Sequence, residues 1–167
     1  DNVKAHKTNL IGEEGKGFAM QMMQFQEERL CAAALVLEAL ELCISSTVEY
    51  TSGREAFGKR LIDNQLVHTR LAEMQMEVEA LRALTYHACE QYVAGEDPTM
   101  LASFAKLKAG QLTRTIPNDC LQFWGGMGFM WDSIISRMYR DLRLTSIGGG
   151  ADEVMLGIIG KRMGLES

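Results

Sequence analysis

From about Phe18 to Thr51 the chain runs without a glycine or a proline, through residues dominated by Ala, Leu, Met, Glu and Gln. Such a run has strong helical propensity, so the segment commits the chain to one long helix. Its apolar residues Ala33, Leu37, Leu40, Ile44 and Val48 recur every three or four positions, which predicts a single buried stripe. Ser52-Gly53 ends it.

The same periodicity predicts a second helix over about Asn64 to Val93. Leu71, Met74, Val78, Leu81, Thr85, Ala88 and Tyr92 form its stripe, and Glu73, Glu77 and Glu90 lie off it. Ala94-Gly95-Glu96 makes a turn. Asp97-Pro98 then supplies a capping residue and a proline at the first helical position, a strong start signal. The third helix continues to about Phe123 with Leu101, Phe104, Ala105, Leu112 and Ile116 on its apolar side. Pro117 falls inside it and is expected to kink or break it, because proline cannot donate to the ladder. Two shorter helices, about Ser133 to Leu142 and about Asp152 to Met163, are separated by Thr145-Ser146 and by Gly148-Gly149-Gly150. No segment alternates with period two. The expected fold is all-α, an up-down helical bundle of three long helices plus two shorter C-terminal ones.

With 167 residues, 47% of them apolar, the chain can bury one core. A formal charge of -5 and the lack of a Lys/Arg cluster argue against nucleic acid as a partner. The longest strongly apolar run, Cys31 to Leu37, is too short for a transmembrane segment, and nothing reads as a signal peptide. Cys31, Cys43, Cys89 and Cys120 have no metal-ligand spacing and sit in helical patterns, so the reading is small buried hydrophobes, with no metal site. The eleven methionines read as core filler, although Met20, Met22 and Met23 could line a pocket beside Glu28.

Several local patterns carry chemistry. Glu27-Glu28-Arg29 is either a solvated helical charge cluster or the seat of a base. The second reading needs one carboxylate against an apolar wall, where desolvation makes it a usable proton acceptor. Arg54-Glu55-Ala56-Phe57-Gly58 with Gln65 couples a cation, an aromatic ring, a tight turn and an amide. Gln122-Phe123-Trp124-Gly125-Gly126 places a second amide before a glycine turn. An arginine fork, two amides and an open turn suit a planar heteroaromatic cofactor carrying a pyrophosphate. Gly148-Gly149-Gly150 reads as a flexible turn or as a close backbone approach by a ligand.

Taken in order, these patterns resemble a known family. Asn9-Leu10-Ile11-Gly12-Glu13-Glu14-Gly15-Lys16-Gly17-Phe18, Glu28-Arg29-Leu30, Arg54 with Phe57-Gly58 and Gln65, Gln122 with Gly125-Gly126 and Gly128, and Arg140-Asp141 leading into Ile147 to Gly150 resemble the C-terminal helical domain of the flavin-dependent acyl-CoA dehydrogenases. The resemblance implies that residues 1–10 are a connector or the remnant of a preceding β-domain, and that residues 11–167 form the bundle. It also implies α,β-dehydrogenation of an acyl-CoA thioester with FAD as cofactor and electron-transferring flavoprotein as electron acceptor. A homo-oligomer, dimer or tetramer, is expected, in the mitochondrial matrix of a eukaryote or the cytoplasm of a bacterium. By position, Arg54, Phe57, Gln65, Gln122, Phe123, Trp124, Gly125, Gly126, Ala151, Asp152 and Glu153 would contact FAD, of which Arg54, Gln65 and Gln122 to Gly126 would reach the adenosine diphosphate end of a cofactor held by a neighbouring subunit. Gln26, Arg29, Gly149 and Gly150 would lie at the substrate.

One departure bears on mechanism. Many members carry the catalytic glutamate at the position of Gly149, which has no side chain here. The isovaleryl- and long-chain-type branches place their base on the first helix of this domain instead, and the matching residue is Glu28. The resemblance therefore implies Glu28 as the base, with Glu27 behind it. It also implies that the bundle alone is inactive, because much of the flavin and substrate site belongs to domains outside this sequence. Two other readings are an acyl-CoA oxidase-type flavoenzyme and a non-catalytic helical oligomerisation module.

Overall fold

The uninterrupted run does form one helix, α1, over Gly17–Gly53, in a computed structural model that describes residues 1–165. The final two residues of the expected bundle, 166–167, lie outside the described residues. A two-stranded hairpin follows, β1 over Glu55–Ala56 and β2 over Lys59–Arg60. Then come α2 (Gln65–Val93), α3 (Thr99–Trp124), the single turn α4 (Gly126–Phe129), α5 (Ile134–Asp141) and α6 (Asp152–Arg162). A 3₁₀ segment, Leu142–Ser146, continues α5 toward the glycine triplet.

Contacts at the two ends fix the topology. Leu30 near the start of α1 packs with Ala88 near the end of α2 and Ala102 near the start of α3. At the other end, Tyr50 of α1 stacks on Trp124 of α3, with ring centroids 4.2 Å apart and planes 10° from parallel. So α1 and α3 run the same way and α2 returns between them, up, down and up. The core between these helices holds Leu37, Leu40, Cys43, Met74, Val78, Leu81, Ala105, Ala109 and Ile116. Truncating a fully buried leucine such as Leu40 or Leu81 to alanine should cost about 2–5 kcal/mol.

Side-chain placement corrects several expectations. Val48 is exposed, and the α1 stripe passes instead through Thr47 and Thr51, both fully buried. Threonine is tolerated there because each hydroxyl donates back to a carbonyl one turn earlier, Thr47 to Cys43 and Thr51 to Thr47, both at 2.7 Å. Tyr92 is exposed too, and its hydroxyl donates to the Glu27 carboxylate. On α3 the buried face lies beside the expected one. Leu101 and Phe104 are only half-buried, whereas Ala102, Ala105, Lys106, Ala109, Leu112 and Ile116 are buried. The helix begins one residue later than expected, with Pro98 as its cap rather than its first residue, and Asp97 just before it accepts from Thr99 N at 3.1 Å. Pro117 does not break it: the helix is continuous through that residue.

The methionines are not mainly core filler. Met74 and Met155 are buried, but Met23, Met76, Met127, Met130 and Met163 are exposed. Cys31 is exposed and Cys89 half-buried, so only Cys43 and Cys120 behave as buried hydrophobes; all four are free thiols. The apolar run is also longer than Cys31–Leu37 suggests. α1 contains an 18-residue window of mean hydropathy 1.7, long and apolar enough to cross a membrane by composition, yet its stripe is spent against α2 and α3. Residues 1–10 are exposed and carry no regular structure apart from one 3₁₀ turn, Lys7–Asn9.

Candidate functional site

Glu27 and Glu28 are adjacent on α1 and so point in different directions. Glu27 is taken by Tyr92 of α2. Glu28 turns toward the loop between the 3₁₀ segment and α6. There Gly149 has φ +68°, and a Cβ built on it would lie 3.5 Å from Glu28 Oε1 and 3.8 Å from Lys106 Cε. Gly150, at φ +107°, would put a Cβ 2.7 Å from Met155 Cε. Both glycines are thus held in backbone conformations that side-chain-bearing residues disfavour. The apolar wall expected around Glu28 is not supplied by this chain: Glu28 is exposed, and so are Met20 and Met23.

The ground beneath this carboxylate is cationic. Arg29 is buried, with its guanidinium carbon 5.9 Å from the centre of the Phe25 ring. Its Nη1 donates to Gln26 at 3.4 Å, and its buried Nε has no hydrogen-bond partner among the described residues. Burial depresses the Arg29 pKa, and the neighbouring Glu28 carboxylate partly offsets this. Lys106 is fully buried and donates to the carbonyls of Thr145 at 2.6 Å and Gly150 at 2.5 Å. Desolvation lowers its pKa, while Asp152 and Glu28 act against that shift and Arg29 adds to it.

Asp152, expected at the cofactor, turns its carboxylate inward. It is buried, with Arg114 Nη2 2.8 Å from its Oδ2, an ion pair lying off the hydrogen-bond direction. Its Oδ1 would be 2.6 Å from a Cβ on Gly110, so only glycine fits beneath it on α3. The segment Ala151–Glu153 therefore leaves the exposed Glu153 and its backbone for any ligand.

The remaining site residues gather at the far end. Tyr50, one turn before Arg54, stacks on Trp124 and donates its hydroxyl to the Trp124 carbonyl at 3.3 Å. The Trp124 indole donates to Thr47 at 3.1 Å, so that side chain is engaged within the bundle; Phe123 also packs on the core. These contacts bring Arg54 and the Gln122–Gly126 turn, far apart in sequence, to one end of the molecule. Leu61 N donates to Arg54 O at 2.9 Å, which docks the hairpin and the start of α2 there as well. Phe57 at the hairpin tip is fully exposed at φ +53°, followed by Gly58 at φ +79°. Arg54, Gln65, Gln122, Gly125 and Gly126 are all exposed, and Arg54 makes no ion pair among the described residues. Open space lies over Gly125 (φ +57°) and Gly126, with no atom within 4 Å of a Cβ on either. At 1.5 Å per residue, Arg54 stands roughly 40 Å from Glu28 along α1.

Residues 15–164 match the profile of the acyl-CoA dehydrogenase C-terminal domain. The chain belongs to this family. It is 34% identical to cyclohexane-1-carbonyl-CoA dehydrogenase of Geobacter metallireducens over 163 residues, 98% of this chain and 43% of that protein. The crystal structure of butyryl-CoA dehydrogenase from Megasphaera elsdenii superposes with a TM-score of 0.90 at 35% identity, covering 93% of this chain and 40% of that one. The FAD complex of PigA gives 0.89 at 27% identity, covering 94% and 41%. The chain thus spans less than half the length of these relatives.

For an acyl-CoA dehydrogenase C-terminal domain, the sequence reading named both ends of the bundle but missed Lys106, Gly110 and Arg114 between them. A signal for Lys106 existed. It is four residues after Ala102 and three before Ala109, a lysine on a stripe of small buried residues.

Proposed function

We propose that this chain is the C-terminal domain of an FAD-dependent enzyme that dehydrogenates an acyl-CoA thioester between its α and β carbons, with Glu28 as the base. The observation that carries the reading is Glu28 Oε1 beside the side-chain-free Gly149. A carboxylate from α1 occupies the place that a side chain on the glycine loop would otherwise reach.

FAD, when bound, would accept the hydride from the substrate β-carbon. The chain's exposed groups fit such a cofactor: an arginine with no ion pair among the described residues for a phosphate, two exposed amides, and an open glycine turn that a ring system can approach. Glu28 would take the α-proton. Arg29 and Gln26 would line the thioester side, and Gly149 and Gly150 would let it approach the backbone closely. The roughly 40 Å between Glu28 and Arg54 favours two half-sites per chain, with Arg54, Phe57, Gln65 and Gln122–Gly126 serving a cofactor held mainly by a neighbouring subunit. Exposed apolar residues such as Leu35, Leu66, Phe129 and Trp131 fit burial against further domains and subunits in a dimer or tetramer.

The test is anaerobic mixing of the complete flavoprotein with an acyl-CoA. Flavin bleaching, followed by reoxidation with electron-transferring flavoprotein and slow reoxidation by oxygen, is expected. Fast oxygen reoxidation would indicate the oxidase-type reading. No bleaching with any acyl-CoA would overturn the catalytic proposal and favour an oligomerisation module.

A further inference from the structure

Lys106 is a buried ammonium in a domain whose other lysines sit near water. Burying a charge is costly unless it is paired and hydrogen-bonded, so its retention needs a reason. Its two carbonyl acceptors, Thr145 and Gly150, flank the Ile147–Gly149 stretch. One side chain on α3 therefore holds both shoulders of the glycine loop. Its Cε and the Glu28 carboxylate approach the same point, the place where a Gly149 side chain would begin, from two different helices.

We propose that Lys106 is a positioning residue for the reaction: it fixes the glycine loop opposite Glu28 and sets a positive charge behind the reacting carboxylate. The inference rests on the reading of Glu28 as base. The charged groups around Lys106 are Glu28 and Arg29 from α1 and Asp152 from α6, with Arg114 of α3 beyond Asp152. Asp152 is already paired to Arg114, and the two carbonyls accept from the lysine. The Lys106 ammonium and the Glu28 carboxylate thus attract one another across the Gly149 position, which keeps the loop and the carboxylate in register.

Two measurements test this. In the complete flavoprotein, Lys106→Gln keeps a donor for the loop but removes the charge. The turnover kcat should fall at least about 10-fold, with KM little changed, and Lys106→Arg should restore it. An unchanged kcat in Lys106→Gln overturns the proposal. The second needs neither flavin nor turnover, and holds if Lys106→Gln fails to fold. In the chain itself, Glu28→Gln alters an exposed residue, and the Lys106 ammonium, followed by its Cε resonance, should then lose its proton at lower pH. An unmoved Lys106 titration overturns the proposal equally. A moved titration alongside a fully active Glu28→Gln flavoprotein would leave the two charges coupled but sink the base assignment, and the catalytic role of Lys106 with it.

Discussion

Glu28 Oε1 lies 3.5 Å from the point at which a side chain on Gly149 would begin. Two elements far apart in sequence, α1 and the loop before α6, therefore address one position, and only one supplies a side chain. The contact itself leaves room for a methyl group, so Gly149→Ala is governed by its backbone. At φ +68° the added Cβ should cost about 1–2 kcal/mol. Chemical denaturation of the two proteins checks this, and a cost near zero would mean that the loop relaxes out of the left-handed conformation.

Gly110 is set by a different constraint. Its φ is ordinary, but a Cβ would come within 2.6 Å of Asp152 Oδ1 and 3.1 Å of the Ser146 backbone. Gly110→Ala should destabilise the fold by about 1–3 kcal/mol through overpacking, despite the better helix propensity of alanine. Thermal unfolding should show the loss, and Gly157→Ala, where open space surrounds the position, should not.

The cysteines should separate by reactivity. Cys31 is exposed and should be alkylated at neutral pH, with Cys89 slower. Burial pushes the Cys43 and Cys120 thiols up to about 12 and about 11, so both should react only on unfolding. Because these folded-state values exceed the unfolded value of 9.0, their contribution to stability is intact below pH 9.0 and is lost as the pH rises toward about 12. Site-resolved alkylation by mass spectrometry, with denaturation midpoints at pH 8 and 10 as about bracketing values, checks both statements.

Phe57 combines full exposure with a left-handed backbone, a conformation that aromatic residues avoid. Phe57→Gly should stabilise the chain by up to about 1 kcal/mol, since no packing is lost. In the assembled flavoprotein the same change should weaken FAD retention. A Phe57→Gly chain less stable than the parent would show that the left-handed turn carries no strain.

Much of this fold was legible because three helices of 26 to 37 residues carry unbroken periodicity. The hairpin escaped because β1 and β2 have only two residues each, too few for any alternation to register. The α3 stripe was misplaced because Leu101 and Phe104 outweigh the small residues Ala102 and Ala109 in any hydrophobicity pattern, and it is the small ones that α1 packs against. That error hid Lys106. At the site, local motifs and the resemblance supplied the candidate residues and periodicity supplied none. The resemblance favoured Glu28 over Glu27, and the structure adds that Tyr92 engages Glu27 while Glu28 faces the Gly149 position.

The central claim is that Glu28 removes the α-proton. Its most direct test is single-turnover flavin reduction by an acyl-CoA under anaerobic conditions, comparing the complete flavoprotein with its Glu28→Gln variant at equal FAD content. The account predicts that reduction slows at least about 100-fold while acyl-CoA still binds. An unchanged rate of flavin bleaching would contradict it.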